Sequence, residues 1–379
     1  MSAVAVTGIG VKAPHGDDAQ RMFAALMRGE SAVRNVLPEL AKPAAAATVA
    51  FDESRWFSKL QLVGVDRVSQ LAAAELALAD AGIGADRDPE CTAVYAGCCM
   101  GGAASLDAAY ASGSRSGRVP PLTIPAFMPN APASQVALRA RALGPVLTYS
   151  VACASGSVAI AEAAKAVRGG EADVALAGGS EALIVPGVMM AWQAMQTLAA
   201  FEPGQAATAC RPFARDRSGF SLYEGAAFLV LEPAARARAR GARVYALLSG
   251  WGASCAATHL TKPDSGGQQR ALRQALAQAR LAPADVGYCN ARGTATKVGD
   301  VVEIDTLRAV CGPAIDTLRV SSTKSMHGHL LGADGALEAA ITVLALHHRA
   351  LPPNAHCSKP DPGCPLNLVL DCDERAPNL

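Results

Sequence analysis

The segment Ser150-Val-Ala-Cys153-Ala-Ser-Gly-Ser157 places a cysteine between an apolar run and a helical stretch. The apolar run predicts a buried strand, and the small residues after it permit a sharp turn. Cys153 then falls near the start of a helix, where unpaired N–H groups and the helix dipole stabilise a thiolate. A thiol of pKa about 8.5 is only about 3% ionised at pH 7, and lowering the pKa by one unit multiplies the thiolate several-fold. Cys153 is therefore a candidate nucleophile. The alternative is a buried structural cysteine, the role expected for most of the others.

Two further segments carry chemistry. Ser321-Ser-Thr-Lys324-Ser-Met-His327-Gly-His329-Leu-Leu-Gly-Ala333 lies between a predicted strand and a predicted helix. A His and a Lys on such a Gly-rich turn suit base, proton-shuttle or oxyanion roles; the alternative is a helix start with a solvated Lys and a packing His. Asn290-Ala-Arg292-Gly-Thr294-Ala-Thr296-Lys-Val-Gly-Asp300 follows a strand directly. Its two hydroxyls at alternating positions can hydrogen-bond an extended amide-bearing ligand, or the stretch is a Thr-rich turn capping the next helix, with Asp300 near the N-cap. A fourth segment, Gly8-Ile-Gly10-Val-Lys-Ala13, mimics a dinucleotide fingerprint. Pro14 and His15 follow at once and no acidic residue ends a second strand at the required distance, which argues against nucleotide binding.

The elements that must position these residues alternate short β-branched runs with Ala-rich helical stretches, the pattern of layered α/β folds. Strands are predicted over 4–7, 92–96, 146–150, 174–177, 226–231, 244–248, 286–290 and 319–322. Helices are predicted over 67–81, 157–168, 267–279, 301–310 and 336–347. The stretch 43–47 is low in complexity, and the Pro-rich stretch 119–132 reads as a long structured loop. The order strand, helix, strand, strand-turn-helix occurs twice, so the chain divides into halves 1–240 and 241–379 at the charged stretch 232–243. Cys153 sits on the strand-turn-helix of the first half, and Lys324 and His329 on that of the second.

The 379 residues suffice for a large core, and half of them are apolar, which excludes global disorder. Lys plus Arg number 34 against 33 acids, so no net basic field attracts nucleic acid or an anionic membrane. The N-terminus lacks the charged and apolar regions of a signal peptide, and no apolar run approaches a bilayer span of about 20 residues. Eleven cysteines without a secretory signal point to a reducing cytoplasm. With no Cys-x-x-Cys pair and seven histidines, no metal site is expected.

Together the segments around Cys153, Arg292 and His329 resemble the β-ketoacyl-acyl-carrier-protein synthases of the elongating type. Val6-Thr-Gly-Ile-Gly, Glu171-Ala-Asp-Val-Ala-Leu-Ala-Gly-Gly-Ser-Glu, Arg211-Pro-Phe-Ala-Arg-Asp-Arg-Ser-Gly-Phe and Tyr223-Glu-Gly-Ala agree, and the likeness runs in order from near Val4 to Leu370. The resemblance implies a thiolase fold, two pseudo-repeated halves in a layered α-β-α-β-α body, working as a homodimer or a dimer of related subunits. It implies acyl transfer from acyl carrier protein to Cys153, then decarboxylative Claisen condensation with a malonyl-carrier thioester, in fatty-acid or polyketide synthesis. No cofactor is implied, because the substrates ride on the carrier's phosphopantetheine. His329 would stabilise the enolate, with Lys324 organising the charge around it, paired with Glu338. Thr294 and Thr296 would bind the pantetheine arm, and Phe220 would line the entrance to the acyl pocket.

The sequence departs from the family in two places. Asn-Ala-His-Gly-Thr reads Asn290-Ala-Arg292-Gly-Thr294 here, and a guanidinium is always charged and cannot act as a base. Arg292 can donate to an enolate oxygen, or clamp the malonyl carboxylate and slow carbon dioxide loss. Synthase-like relatives that transfer acyl groups without elongating often lack this histidine, so a non-elongating acyltransferase is one alternative; a pocket-shaping subunit of a heterodimeric synthase is another, and the retained Cys153 argues against it. The family's terminal Gly-rich Phe-Gly loop, which gives one oxyanion donor, is also absent from a sequence that stops at Arg375-Ala-Pro-Asn-Leu379. The expectation is a truncated chain or a lost donor, and losing one donor costs about 100- to 1,000-fold in rate.

Overall fold

The computed structural model describes residues 3–370 except 17, 60–64, 75–76, 85–86 and 203, so the expectation about the chain end lies outside the described residues. The described strands are β1 (Val4–Lys12), β2 (Arg34–Val36), β3 (Ala44–Ala47), β4 (Thr92–Gly97), β5 (Val146–Tyr149), β6 (Val174–Glu181), β7 (Leu222–Tyr223), β8 (Gly225–Pro233), β9 (Ala246–Leu248), β10 (Tyr288–Asn290), β11 (Arg319–Ser321) and β12 (Asn367–Leu368). Six form one mixed sheet in the order β5-β4-β6-β8-β1-β9. Its β5, β4 and β6 run parallel, and the remaining neighbours are antiparallel. A second, parallel sheet is formed by β10-β11-β12, and β2-β3-β7 forms a small third sheet.

The central strands are buried on both faces, as their near-continuous apolar sequence requires. Strand side chains alternate, and here they sort between two cores. Ala93, Tyr95, Ala175, Ala177, Leu229 and Leu231 join the core built with helices Ser155–Gly169 and Asp334–His348. Val94, Ala96, Val174, Leu176, Phe228 and Val230 face the opposite core, with helix Ala131–Ala140. Each fully buried Val, Leu or Phe contributes about 1.5–3 kcal/mol. Small residues let the first core close tightly. A methyl on Gly97 would meet the Gly156 nitrogen at 2.4 Å, and one on Gly156 would meet the Ala336 nitrogen at 2.9 Å. These close approaches seat the turn before Ser155–Gly169 beside the turn before Asp334–His348.

Most predicted elements form within two to four residues of their expected ends, with instructive exceptions. The helix expected over 67–81 is described as Arg67–Ala74 and Ala77–Asp80, with 75–76 outside the described residues. The expected loop 119–132 contains helix Thr123–Phe127 and the start of Ala131–Ala140, because Pro132 sits in a first turn where its missing N–H is not needed. The low-complexity run yields β3, fully buried although Ala is a weak strand former, because burial between neighbours outweighs propensity. Gly8 and Gly10 serve packing: a methyl on either would come within 3 Å of the backbone at Ala77. Among the described residues no helix is long and apolar enough to cross a membrane.

Candidate active site

The chain leaves β5 at Tyr149 and turns sharply into helix Ser155–Gly169. Ala152 adopts φ 50, the left-handed region that costs a residue with a Cβ roughly 1–2 kcal/mol. The buried Ser155 hydroxyl holds this turn, donating to the Ala152 carbonyl at 2.6 Å and accepting from the Val151 N–H at 2.9 Å. Half-buried Cys153 stands two residues ahead of the helix.

His329 comes from the second half and is buried against it. Its Nε2 lies 3.0 Å from Cys153 Sγ and its Nδ1 lies 2.7 Å from Asp334 Oδ2. Its backbone is pinned on both sides: its N–H donates to Ser221 O at 2.7 Å, and its carbonyl accepts from the Tyr223 N–H at 3.0 Å. The Phe220 ring meets the imidazole edge-on at a centroid distance of 5.3 Å, and Trp192 meets Phe220 likewise at 5.5 Å. Lys324, wholly buried, is 2.8 Å from the same Asp334 oxygen and also pairs with Glu338, as expected.

The charges in this cluster determine one another. Burial alone raises a thiol pKa, yet the charge and hydrogen bond of His329, with help from Arg292, bring Cys153 down to about 6. Burial alone lowers a histidine, yet Asp334 and the thiolate lift His329 to about 9. Against burial, Lys324 and His329 hold Asp334 far below the usual carboxylate range. Burial pushes Glu338 up to about 8, opposed by Lys324. At neutral pH the pair is therefore thiolate and imidazolium. His327, the other histidine of this turn, is buried, pushed down to about 3 by burial, and bonded to the Thr323 hydroxyl at 2.9 Å, so it stays neutral.

On the third segment, the Arg292 and Gly293 N–H groups donate to the two oxygens of Glu303 at 2.7 and 2.8 Å. The Arg292 side chain remains exposed to the cleft and near enough to favour the thiolate. Thr294 and Thr296 hydroxyls lie 3.1 Å apart. Thr296 is the N-cap of helix Lys297–Cys311, accepting from the Gly299 N–H at 3.2 Å, and Asp300 lies near it in the first turn. Asp300 lies inside that helix, buried, and accepts from the Phe213 N–H at 2.9 Å. A cleft of about 960 Å³ is lined by Cys153, Phe220, Arg292, Thr294, Thr296 and His329. Lys324 does not line the cleft and is linked to His329 through Asp334. Asp334 and Glu303 were not singled out in the sequence; Asp334 had one available signal, its place in the first turn of a helix, whereas Glu303 lies in a second turn.

A family model described as the N-terminal domain of β-ketoacyl synthase matches residues 1–237, and one for its C-terminal domain matches residues 245–358. Over 97% of its length the chain is 38% identical to nodulation protein E of Rhizobium sp. (strain N33) and 35% identical to 3-oxoacyl-[acyl-carrier-protein] synthase 2 of Staphylococcus aureus (strain N315), covering 91% of each. Among solved structures, the ishigamide ketosynthase/chain length factor superposes with a TM-score of 0.91 at 29% identity, covering 99% of this chain and 93% of that one. A type II polyketide ketosynthase in complex with its acyl-carrier protein gives 0.89 at 28% identity, covering 98% and 92%.

Proposed function

This chain belongs to the β-ketoacyl synthase family, whose members are acyl-transferring condensing enzymes, and from that premise we propose that Cys153, His329, Lys324 and Arg292 are its reacting centre. The observation that carries the reading is the 3.0 Å contact between His329 Nε2 and Cys153 Sγ at the cleft. The thiolate attacks the carbonyl of an acyl thioester held on acyl carrier protein. The tetrahedral intermediate expels the pantetheine thiolate, leaving the acyl group on Cys153. In a malonyl-carrier thioester the bond to the carboxylate then breaks, carbon dioxide leaves, and the electron pair becomes an enolate. Imidazolium His329 donates its Nε2 proton as a hydrogen bond to that oxygen. The enolate carbon attacks the acyl-enzyme carbonyl, and the Cys153 thiolate departs from the new β-ketoacyl product.

Thr294 and Thr296 line the cleft where a pantetheine arm reaches Cys153, and Phe220, edge-on to His329, borders the acyl pocket. Exposed Lys262 and Lys297 add positive charge to the cleft wall, suited to the arm's phosphate. The sheet edge β5 exposes Val146 and Leu147, with Val151 beside them, an apolar edge that fits a second synthase chain, identical or related. A cytoplasmic setting suits an enzyme with ten described cysteines unpaired.

Arg292 favours a second reading, transfer without elongation. A fixed charge beside Cys153 assists acyl loading, whereas a guanidinium bound to the malonyl carboxylate holds the charge that must flow into the enolate. The test follows Cys153 acylation, carbon dioxide release and β-ketoacyl product separately, with the protein alone and with a related subunit. Loading with condensation supports the first reading, loading without it the second, and absence of loading on Cys153 overturns both.

A further inference from the structure

Glu181 ends β6 with its side chain wholly buried, and none of the steps above employs it. Its Oε2 accepts from the Cys99 N–H at 2.8 Å and the Gly332 N–H at 3.0 Å. Its Oε1 accepts from the Met100 N–H at 3.3 Å and the Cys98 thiol at 3.7 Å. These donors come from two turns on either side of the reacting pair. Residues 98–100 follow β4 and are tied to the strand that delivers Cys153: Cys98 N–H donates to Tyr149 O at 3.1 Å, and the Ser150 hydroxyl to Cys99 O at 3.2 Å. Gly332 belongs to the short turn Leu331–Ala333, between His329 and Asp334. The approach is too close for a side chain there, since a methyl on Gly332 would come 2.4 Å from Cys99 N and 2.6 Å from Glu181 Oε2.

A buried carboxylate is costly unless its oxygens are bonded, and buried backbone N–H groups are costly unless accepted. One carboxylate here resolves both demands by joining two turns remote in sequence. We propose that Glu181 is a positioning residue whose carboxylate clamps residues 98–100 to the turn Leu331–Ala333 and so sets the Cys153–His329 contact. Burial pushes Glu181 up to about 7, and its three backbone donors and the Cys98 thiol draw it back toward the ionised form. The ionisable groups facing it, Cys98 and Cys99, are themselves pushed up by burial and then by Glu181, Cys99 to about 12, so both remain neutral thiols.

The inference rests on Cys153 and His329 being the reacting pair, and the experiment separates the two claims. Iodoacetamide alkylation is followed against pH with peptide mapping, in the parent, Glu181→Gln and Glu181→Asp, alongside circular dichroism and thermal melting. The parent is expected to label Cys153 first, with a midpoint near pH 6. In Glu181→Gln an amide N–H faces N–H donors, the clamp opens, and the midpoint rises by a unit or more, slowing alkylation at pH 6 about fivefold or more. Glu181→Asp keeps the carboxylate and recovers part of that shift. A folded Glu181→Gln with the parent midpoint, even with a lowered melting temperature, overturns the clamp. If Glu181→Gln fails to fold, the Asp variant decides, and its titrating like the parent overturns the proposal. A parent that labels another cysteine first overturns the nucleophile assignment itself.

Discussion

Nδ1 of His329 stands 2.7 Å from Oδ2 of Asp334, and that same oxygen stands 2.8 Å from Nζ of Lys324. Leu331, in the left-handed region at φ 47, bends the chain between histidine and carboxylate. Asp334 opens helix Asp334–His348, where the helix dipole also favours its negative charge. One carboxylate thus orients the imidazole, keeps it protonated and neutralises a buried lysine. His329 can then present Nε2–H to the cleft while Cys153 is a thiolate.

Asp334→Asn is expected to undo all three effects. Leaving Lys324 short of a partner in the interior costs about 3–5 kcal/mol of stability. With the imidazole no longer held charged, the Cys153 titration moves up and loading at pH 7 slows at least tenfold. Urea denaturation and Cys153 alkylation in parallel check this, and parent-like values in both refute it.

Cys153 is expected to be the thiol that alkylates first at pH 7, because its pKa is brought down to about 6 while burial pushes Cys99 and Cys210 up to about 12. Its rate rises as pH increases through 6 and then levels. Peptide mapping after limiting reagent reads the order, and earlier labelling of Cys98, Cys210 or Cys255 removes the assignment.

The decarboxylation step should be lost on the alkaline side. His329 has a folded pKa raised to about 9, above the value of about 6.5 for an unfolded histidine. Its contribution to stability is therefore complete below pH 6.5 and is lost as pH rises through 9. Loading should rise through pH 6, and carbon dioxide release, which follows loss of the thiolate that helps lift His329, should already be falling by pH 9. Rates and melting temperatures across pH 5–10, taken on one preparation, test both limbs; carbon dioxide release that keeps rising above pH 9 excludes the imidazolium role.

Thr294→Val and Thr296→Val should weaken carrier-borne substrates several-fold, since each neutral hydrogen bond to the arm contributes about 1 kcal/mol, while small thioesters are spared. Thr296→Val also removes the cap of helix Lys297–Cys311, costing about 0.5–2 kcal/mol, whereas Thr294→Val caps nothing. Steady-state kinetics with both donors, beside melting curves, separate the two. Equal loss on both donors would exclude a pantetheine role.

Arg292→His is expected to raise decarboxylation of malonyl-carrier thioester and leave acyl loading similar or weaker. The guanidinium helps hold the Cys153 thiolate, and its removal lets the malonyl carboxylate surrender its charge. Parallel assays of carbon dioxide and acyl-enzyme decide the matter. Fast decarboxylation by the parent, abolished in the variant, would make Arg292 an active participant in condensation.

The local patterns in the sequence sufficed for the strand-turn-helix around Cys153, the turn carrying Lys324 and His329, and the Arg292–Thr296 loop, because periodicity and turn residues act over a few positions. Of the two histidines on one turn the resemblance alone singled out His329; in the structure both are buried, and their partners separate them, His327 lowered and bonded to Thr323, His329 lifted by Asp334. Burial depends on what the rest of the chain packs nearby. The same holds for Glu181, whose partners lie 82 and 151 residues away, and for the Cys153–His329 contact across 176. Residue type and spacing state which groups are able to react. Which carboxylates are desolvated, which amides they accept and which cations they face follow from long-range packing, and those decide the protonation states on which the chemistry depends.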